Sequence, residues 1–309
     1  MNEPRYCMKK LFLILVFFTS ISCFKEVAID IPRHEPLPVV NSIFFSDSKI
    51  ALTLGKTQPI LENGNVTIEN GLIKLYEDEM LKDTMYLVGS SFSSSIIAKA
   101  GKSYKVEIET PDFSTLYSKD RLPNYPRLSF LNYKDSVYIG EEGDLFSQAS
   151  ITIDDEPDYD NFYELIMFMK AETEDDIYNS NIGYLLYDSV NNDIVFQNEG
   201  LLNYYPYNLL FSDELFDGKK QTLRINFTMS NTGFIGAHKN DVVNLIMHLR
   251  HVSKNYYEYN KTLTLHYENQ FGDIWDGVGE PVPMFTNIEN GYGIFAGYSE
   301  VTDTIYKER

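Results

Sequence analysis

Cysteine is almost absent from this sequence of 309 residues. The two present, Cys7 and Cys23, cannot build a disulfide framework or a cysteine-based zinc site. Basic residues are also scarce: 26 Lys and Arg stand against 45 Asp and Glu, a net charge of −19. A phosphate backbone needs clustered cations, so nucleic acid is excluded as a partner. With five histidines and no His-x-x-x-His pair there is no recognisable transition-metal set. No Gly-x-Ser-x-Gly elbow, phosphate-cradling loop or complete dinucleotide fingerprint occurs. Long apolar runs are missing too, apart from one near the start. What the chain does have is a hydrophobic fraction of 43%, ample for packed cores, and 23 Tyr and 20 Phe beside a single Trp.

The apolar run is Leu11 to Phe18. It follows Lys9-Lys10 and precedes Thr19-Ser20-Ile21-Ser22-Cys23. A charged segment, a short apolar segment and small residues form an export signal, predicted over 1–22. The run is too short for a transmembrane helix of about 20 residues. Cys23 at its end resembles a bacterial lipobox, which implies lipidation of Cys23 and a membrane anchor. Residues 23–38, with Pro32, Pro36 and Pro38, read as an extended tether.

Residues 39–123 carry short alternating segments between turn signals, such as Ile50–Leu54, Leu72–Tyr76 and Tyr104–Glu109. This pattern predicts an immunoglobulin- or transthyretin-like β-sandwich. Leu122-Pro123-Asn124-Tyr125-Pro126 reads as a stiff boundary. Residues 127–309 predict a larger antiparallel β domain, sandwich or barrel, with strands at 149–153, 162–169, 223–229 and 242–252. One late helix is predicted near 254–268, where Tyr256, Tyr259, Leu263 and Tyr267 recur at three- and four-residue spacing and Ser253 can cap. Length alone also suggests two domains. The fold class is mainly β.

Three blocks carry a resemblance beyond composition: Asp154–Leu165, Phe211–Lys219, and Tyr256–Tyr259 followed by Glu280-Pro281 and Asn287–Tyr298. Together with Glu62-Asn63-Gly64 and Tyr104–Ile108, they resemble domain-of-unknown-function family 4249. That resemblance implies a Bacteroidota outer-membrane lipoprotein encoded beside a TonB-dependent receptor. Its partner would be that receptor, and it would sit on the periplasmic face or at the cell surface. It brings no catalytic or ligand residues.

The residues themselves offer few chemical constellations. Asp154, Asp155, Asp158 and Asp160 are the densest carboxylates and a weak calcium candidate, without the central Gly and distal Glu of an EF-hand loop. Their alternative is a solvated acidic hairpin, as for Glu172, Glu174, Asp175 and Asp176. Asp213, Glu214 and Asp217 could be paired for glycoside hydrolysis, but Asp217-Gly218 is first a turn signal. No catalytic residue, metal or cofactor is therefore assigned, and the expectation is a protein without enzymatic activity. Tyr204, Tyr205, Tyr207, Tyr256 and Tyr257 form local concentrations. They are either β-core packing or a partner- or ligand-facing surface. The accessory subunit of a receptor is the leading reading; a cell-surface carbohydrate-binding module is the alternative.

Overall fold

The computed structural model describes residues 35–59, 64, 66–140, 143–157, 159–172, 181–187, 193–199, 209–229, 242–270 and 282–307. The predicted export signal, Cys23 and most of the tether lie outside them. The described chain from Pro36 onward is one compact unit.

Strands β1 (Pro38–Phe45), β2 (Lys49–Lys56), β3 (Leu72–Glu77), β4 (Met80–Val88), β5 (Ser91–Ile97), β6 (Ser103–Glu109) and β7 (Leu116–Arg121) form the first group. Their inward residues alternate: Val40, Phe44, Ile50, Leu52, Leu54, Ile73, Leu75, Tyr104, Val106 and Ile108 are all buried. Period-two burial of β-branched and aromatic side chains makes these segments strands. Each buried Val, Leu or Ile contributes about 1.5–3 kcal/mol relative to exposure. The inner faces close on one core, which also takes in Ile288 and Phe295 from the far end of the sequence.

The second group is β8 (Leu128–Ile139), β9 (Leu145–Asp154), β10 (Phe162–Glu172), β11 (Asn181–Tyr187), β12 (Leu209–Ser212), β13 (Lys220–Met229) and β14 (Val242–Val252). A second core gathers Ile151, Tyr163, Leu165, Met167, Phe211, Leu223, Ile225, Phe227, Met247 and Leu249. A short helix α1 (Ile194–Asn198) adds Val195 and Phe196. The long helix α2 (Lys254–Gln270) follows β14 directly. Ser253 caps it as expected, accepting from the Tyr256 amide at 3.2 Å. Among the described residues no helix is long and apolar enough to cross a membrane.

Strand β15 (Tyr292–Lys307) joins the two groups. It pairs antiparallel with β14 and parallel with β1, so the ladder runs β7-β6-β3-β4-β5-β2-β1-β15-β14-β10-β11-β13-β9-β8, with β12 beside β10. The described path is open at β7 and β8, so the strands form a folded-over sheet rather than a closed barrel. The mainly-β class with one late helix is as the sequence predicts.

The 287–298 block owes its composition to this junction. Asn287 clamps Phe295 from both sides, donating to its carbonyl at 2.7 Å and accepting from its amide at 3.0 Å. Gly293 has φ +105°, and a Cβ there would lie 1.9 Å from the Val40 carbonyl oxygen. Only glycine lets β15 come this close to β1.

Candidate functional site

Three segments converge where β7 ends, β9 passes to β10 and β14 gives way to α2. The turn after β7 is fastened strand by strand. Asp120 accepts from the Gly297 amide at 2.7 Å and from Asn255 at 2.8 Å. The Pro123 carbonyl accepts from Ser299 at 2.6 Å, and the Asn124 carbonyl from His251 Nδ1 at 3.0 Å. Asn161 shapes the β9–β10 connection, donating to the carbonyls of Glu156 at 2.8 Å and Tyr159 at 3.0 Å. Between these segments lies an open cleft of about 240 Å³, lined by Asp120, Arg121, Asn124, Glu156, Tyr159, Asp160, Asn161, His251, Ser253 and Lys254 among others.

Burial sets the electrostatics of its floor. It pushes Asp120 up to about 7, against the hydrogen bonds from Ser253, Gly297 and Asn255 that favour the charged form. It pushes His251 down to about 4, so the imidazole is neutral at pH 7 and donates through Nδ1. The Ser253 hydroxyl serves Asp120 and the Tyr256 amide. His251 Nδ1 serves Asn124. These bonds hold the fold together; they do not set a nucleophile against a base.

Next to the cleft, Asp155, Asp213 and Asp217 bring carboxylate oxygens within 4.8 Å of one another. Asp155 and Asp213 are buried. Asp155 accepts from the Tyr163 hydroxyl at 2.6 Å and the Gly218 amide at 2.8 Å. Asp213 accepts from the Asn161 amide at 2.9 Å and its side chain at 3.2 Å. Burial raises both, Asp213 to about 6, and their mutual charge adds to the effect on Asp213. Hard oxygens at this spacing are the donor set of a divalent cation. Here the buried pair is already occupied by donors of the fold.

The carboxylates named from sequence are thus dispersed. Of Asp154, Asp155, Asp158 and Asp160, only Asp155 belongs to the cluster. Asp154 points outward, 3.5 Å from Lys220. Asp160 is exposed and lines the cleft, and Asp158 lies outside the described residues. Asp155 meets Asp213 and Asp217 instead because β9 and β13 pair in the register Asp154↔Lys220, which sets the 213–218 turn against residue 155. The Asp217-Gly218 turn next to a predicted strand was the signal for this.

The tyrosine surface needs a correction. Tyr256 and Tyr257 are buried, at 5% and 7% exposure, because α2 lays this face on β10 and β15. Their hydroxyls donate to Glu164 and Glu199. Tyr204, Tyr205 and Tyr207 lie outside the described residues.

On the outer face of the sheet, beneath α2, is a network that the sequence did not reveal. Glu164, Arg250 and Glu300 stand side by side on β10, β14 and β15. Arg250 donates to Glu164 at 2.8 Å and to Glu300 at 2.7 Å, and its guanidinium lies 4.4 Å from the centre of the Tyr298 ring. His248 Nδ1 is 2.7 Å from Glu300. His251, three residues along the same strand, faces the other way and stacks on Tyr163.

The family described as domain of unknown function DUF4249 matches residues 25–304. This chain is a DUF4249 protein. The match spans both strand groups and the junction block. A comparison with curated proteins finds no match. Among solved structures, the chain is similar to the Enterococcus faecalis MSCRAMM ACE, which binds its ligands by the collagen hug model. Identity is 6% and the TM-score 0.22, over 87% of this chain and 93% of that one. It is also similar to the T6 backbone pilin of serotype M6 Streptococcus pyogenes, a modular three-domain protein. Identity there is 9% and the TM-score 0.21, over 88% of this chain and 64% of that one. At these TM-scores neither likeness carries an argument, and the DUF4249 fold stands on the strand pairing described above.

Proposed function

We propose that this DUF4249 protein is a lipid-anchored outer-membrane protein and a non-enzymatic accessory subunit of a TonB-dependent receptor. The observation that carries the reading is the sequence from Lys9 to Cys23, followed by a proline-bearing tether ahead of the β unit. Acyl chains on Cys23 each contribute about 0.8 kcal/mol per buried CH₂, and two or more hold a protein firmly on a membrane. The tether then lifts the folded unit off the lipid, at the periplasmic face or the cell surface. The acidic surface keeps that unit soluble and away from anionic headgroups.

Metabolic labelling with a fatty-acid probe tests the anchor: label is expected on the wild-type chain and not on Cys23→Ser. Gentle detergent extraction tests the partnership. Co-purification of a large outer-membrane barrel protein is expected, and recovery of the chain as a lone monomer counts against the role. Of the tyrosines on which the carbohydrate alternative rests, Tyr256 and Tyr257 are buried and offer no platform, and Tyr204, Tyr205 and Tyr207 lie outside the described residues.

A further inference from the structure

We propose that the cleft between β7, the β9–β10 connection and the start of α2 is a glycan-binding site that receives one terminal sugar ring on Tyr159. The proposal is independent of the accessory-subunit reading.

Tyr159 is 66% exposed, although it lines a concave site. The Arg121 guanidinium lies 5.9 Å from the centre of its ring and steadies it. An aromatic ring held open at a cleft wall is a platform for another flat, partly apolar face, and the C–H face of a pyranose is one. The remaining groups suit hydroxyls. Glu156 and Asp160 accept, and Lys254 and Arg121 donate. Arg121 and Lys254 offset Glu156 and Asp160, and burial raises the third acid, Asp120, to about 7, so the lining carries no strong excess of either sign and favours a neutral ligand with alternating donors and acceptors.

The acceptors are pre-set. Asn124 donates to the Glu156 carboxylate at 3.2 Å, and the Glu156 carbonyl is held by Asn161. Because His251 Nδ1 donates to the Asn124 carbonyl, the neutral ring keeps Nε2 as its acceptor. Size sets the length of the ligand. The volume of about 240 Å³ falls below the roughly 300–1,000 Å³ of pockets that enclose drug-sized molecules. It takes a single ring, and the open side lets the rest of a glycan extend into solvent.

Saturation-transfer NMR on the intact protein with a panel of methyl pyranosides and N-acetylhexosamines tests this. Transfer to the ring protons of at least one sugar is expected. Tyr159→Ala should weaken that binding about tenfold while Tyr159→Phe retains it, as stacking without the hydroxyl requires. Glu156→Gln should also weaken it. Both sites are at the surface, and an unchanged thermal midpoint shows that the variants fold. Parallel titrations use inorganic phosphate and calcium chloride. No transfer at sugar concentrations of about 10 mM, sugar binding indifferent to Tyr159→Ala, or binding of phosphate or calcium alone would each overturn the proposal.

Discussion

Two groups of acidic side chains lie in the second strand group and the strand beside it, Asp155, Asp213 and Glu164 buried and Glu300 half-buried, and they are built on opposite plans. Glu164 and Glu300 flank a guanidinium. Asp155 and Asp213 have only neutral donors and each other. Burial alone would raise all such carboxyls. At Glu300 it is outweighed by hydrogen bonds from His248 and Arg250, which hold the group below the usual carboxylate range. At Asp155 and Asp213 burial wins, and the groups are raised. A carboxyl is therefore held below its usual range at Glu300 under α2 and raised above it at Asp155 and Asp213 beside the cleft. The neighbouring cation decides which.

The comparison breaks most visibly at Arg250. Arg250→Met should cost about 3–5 kcal/mol in urea denaturation, because Glu164, 2% exposed, would keep a buried charge without its cation. If the loss is under about 1 kcal/mol, the network is not held by its cation.

A pair of hydroxyl deletions sharpens it. Tyr163→Phe removes a donor from Asp155, which has no cation to fall back on, and should cost about 1–3 kcal/mol. Tyr256→Phe removes a donor from Glu164, still held by Arg250, and should cost about 1 kcal/mol. Equal losses would contradict the distinction.

The two plans also predict opposite pH responses. Asp213 rises from 3.8 to about 6 on folding, so its contribution is full below pH 3.8 and is lost as pH climbs through 6. Asp120, raised to about 7, extends that loss upward. Glu300 is lowered from 4.5, so its contribution is present above pH 4.5 and fades as pH falls through its folded value. From these groups stability should be highest near about pH 4.5 and decline from there to about pH 7, and Asp213→Asn should remove about 1–3 kcal/mol of that decline. Denaturation midpoints across pH 4 to 8 measure this, and an unchanged slope in the variant would refute the assignment.

The smallest effect concerns metal. Both oxygens of Asp155 already accept hydrogen bonds, from Tyr163 and Gly218. Chelator should leave the thermal midpoint unchanged. A drop on adding EDTA, reversed by calcium, would show that the aspartates trade those donors for a cation.

The sequence was most legible where burial is local. Alternation at Ile50–Leu54, Tyr104–Glu109 and Leu223–Met229, the spacing of Tyr256 and Tyr259, and Ser253 as a cap all follow from one segment and one face. β4 was harder to read, because only Met85 and Asp83 of its nine residues escape full exposure and the hydrophobic pattern is weak. The candidate site was hardest. Alternation within the predicted strand 242–252 puts His248 and Arg250 on one face, but Glu164 and Glu300 reach them only through the registers of β10 and β15. Asp120 and His251 line one cleft, and His251 bonds the Asn124 carbonyl in a segment that reads from sequence as a linker. Pairings 50 and 86 residues apart leave no mark on local periodicity. Tyr256 and Tyr257 show the same limit from the other side, since what covers a helix face is a tertiary fact.

The parallel pairing of β1 with β15 also carries a kinetic consequence. Residues 39 to 45 find their partners at 292 to 298, about the largest sequence separation the described chain allows. Loop closure of that span must precede any gain from the contact, so this seam should form late and slowly. Until it does, β1 and β15 each show an unpaired edge. A nascent or translocating chain would be most vulnerable to aggregation in that interval, and a chaperone that masks strand edges would protect it best there.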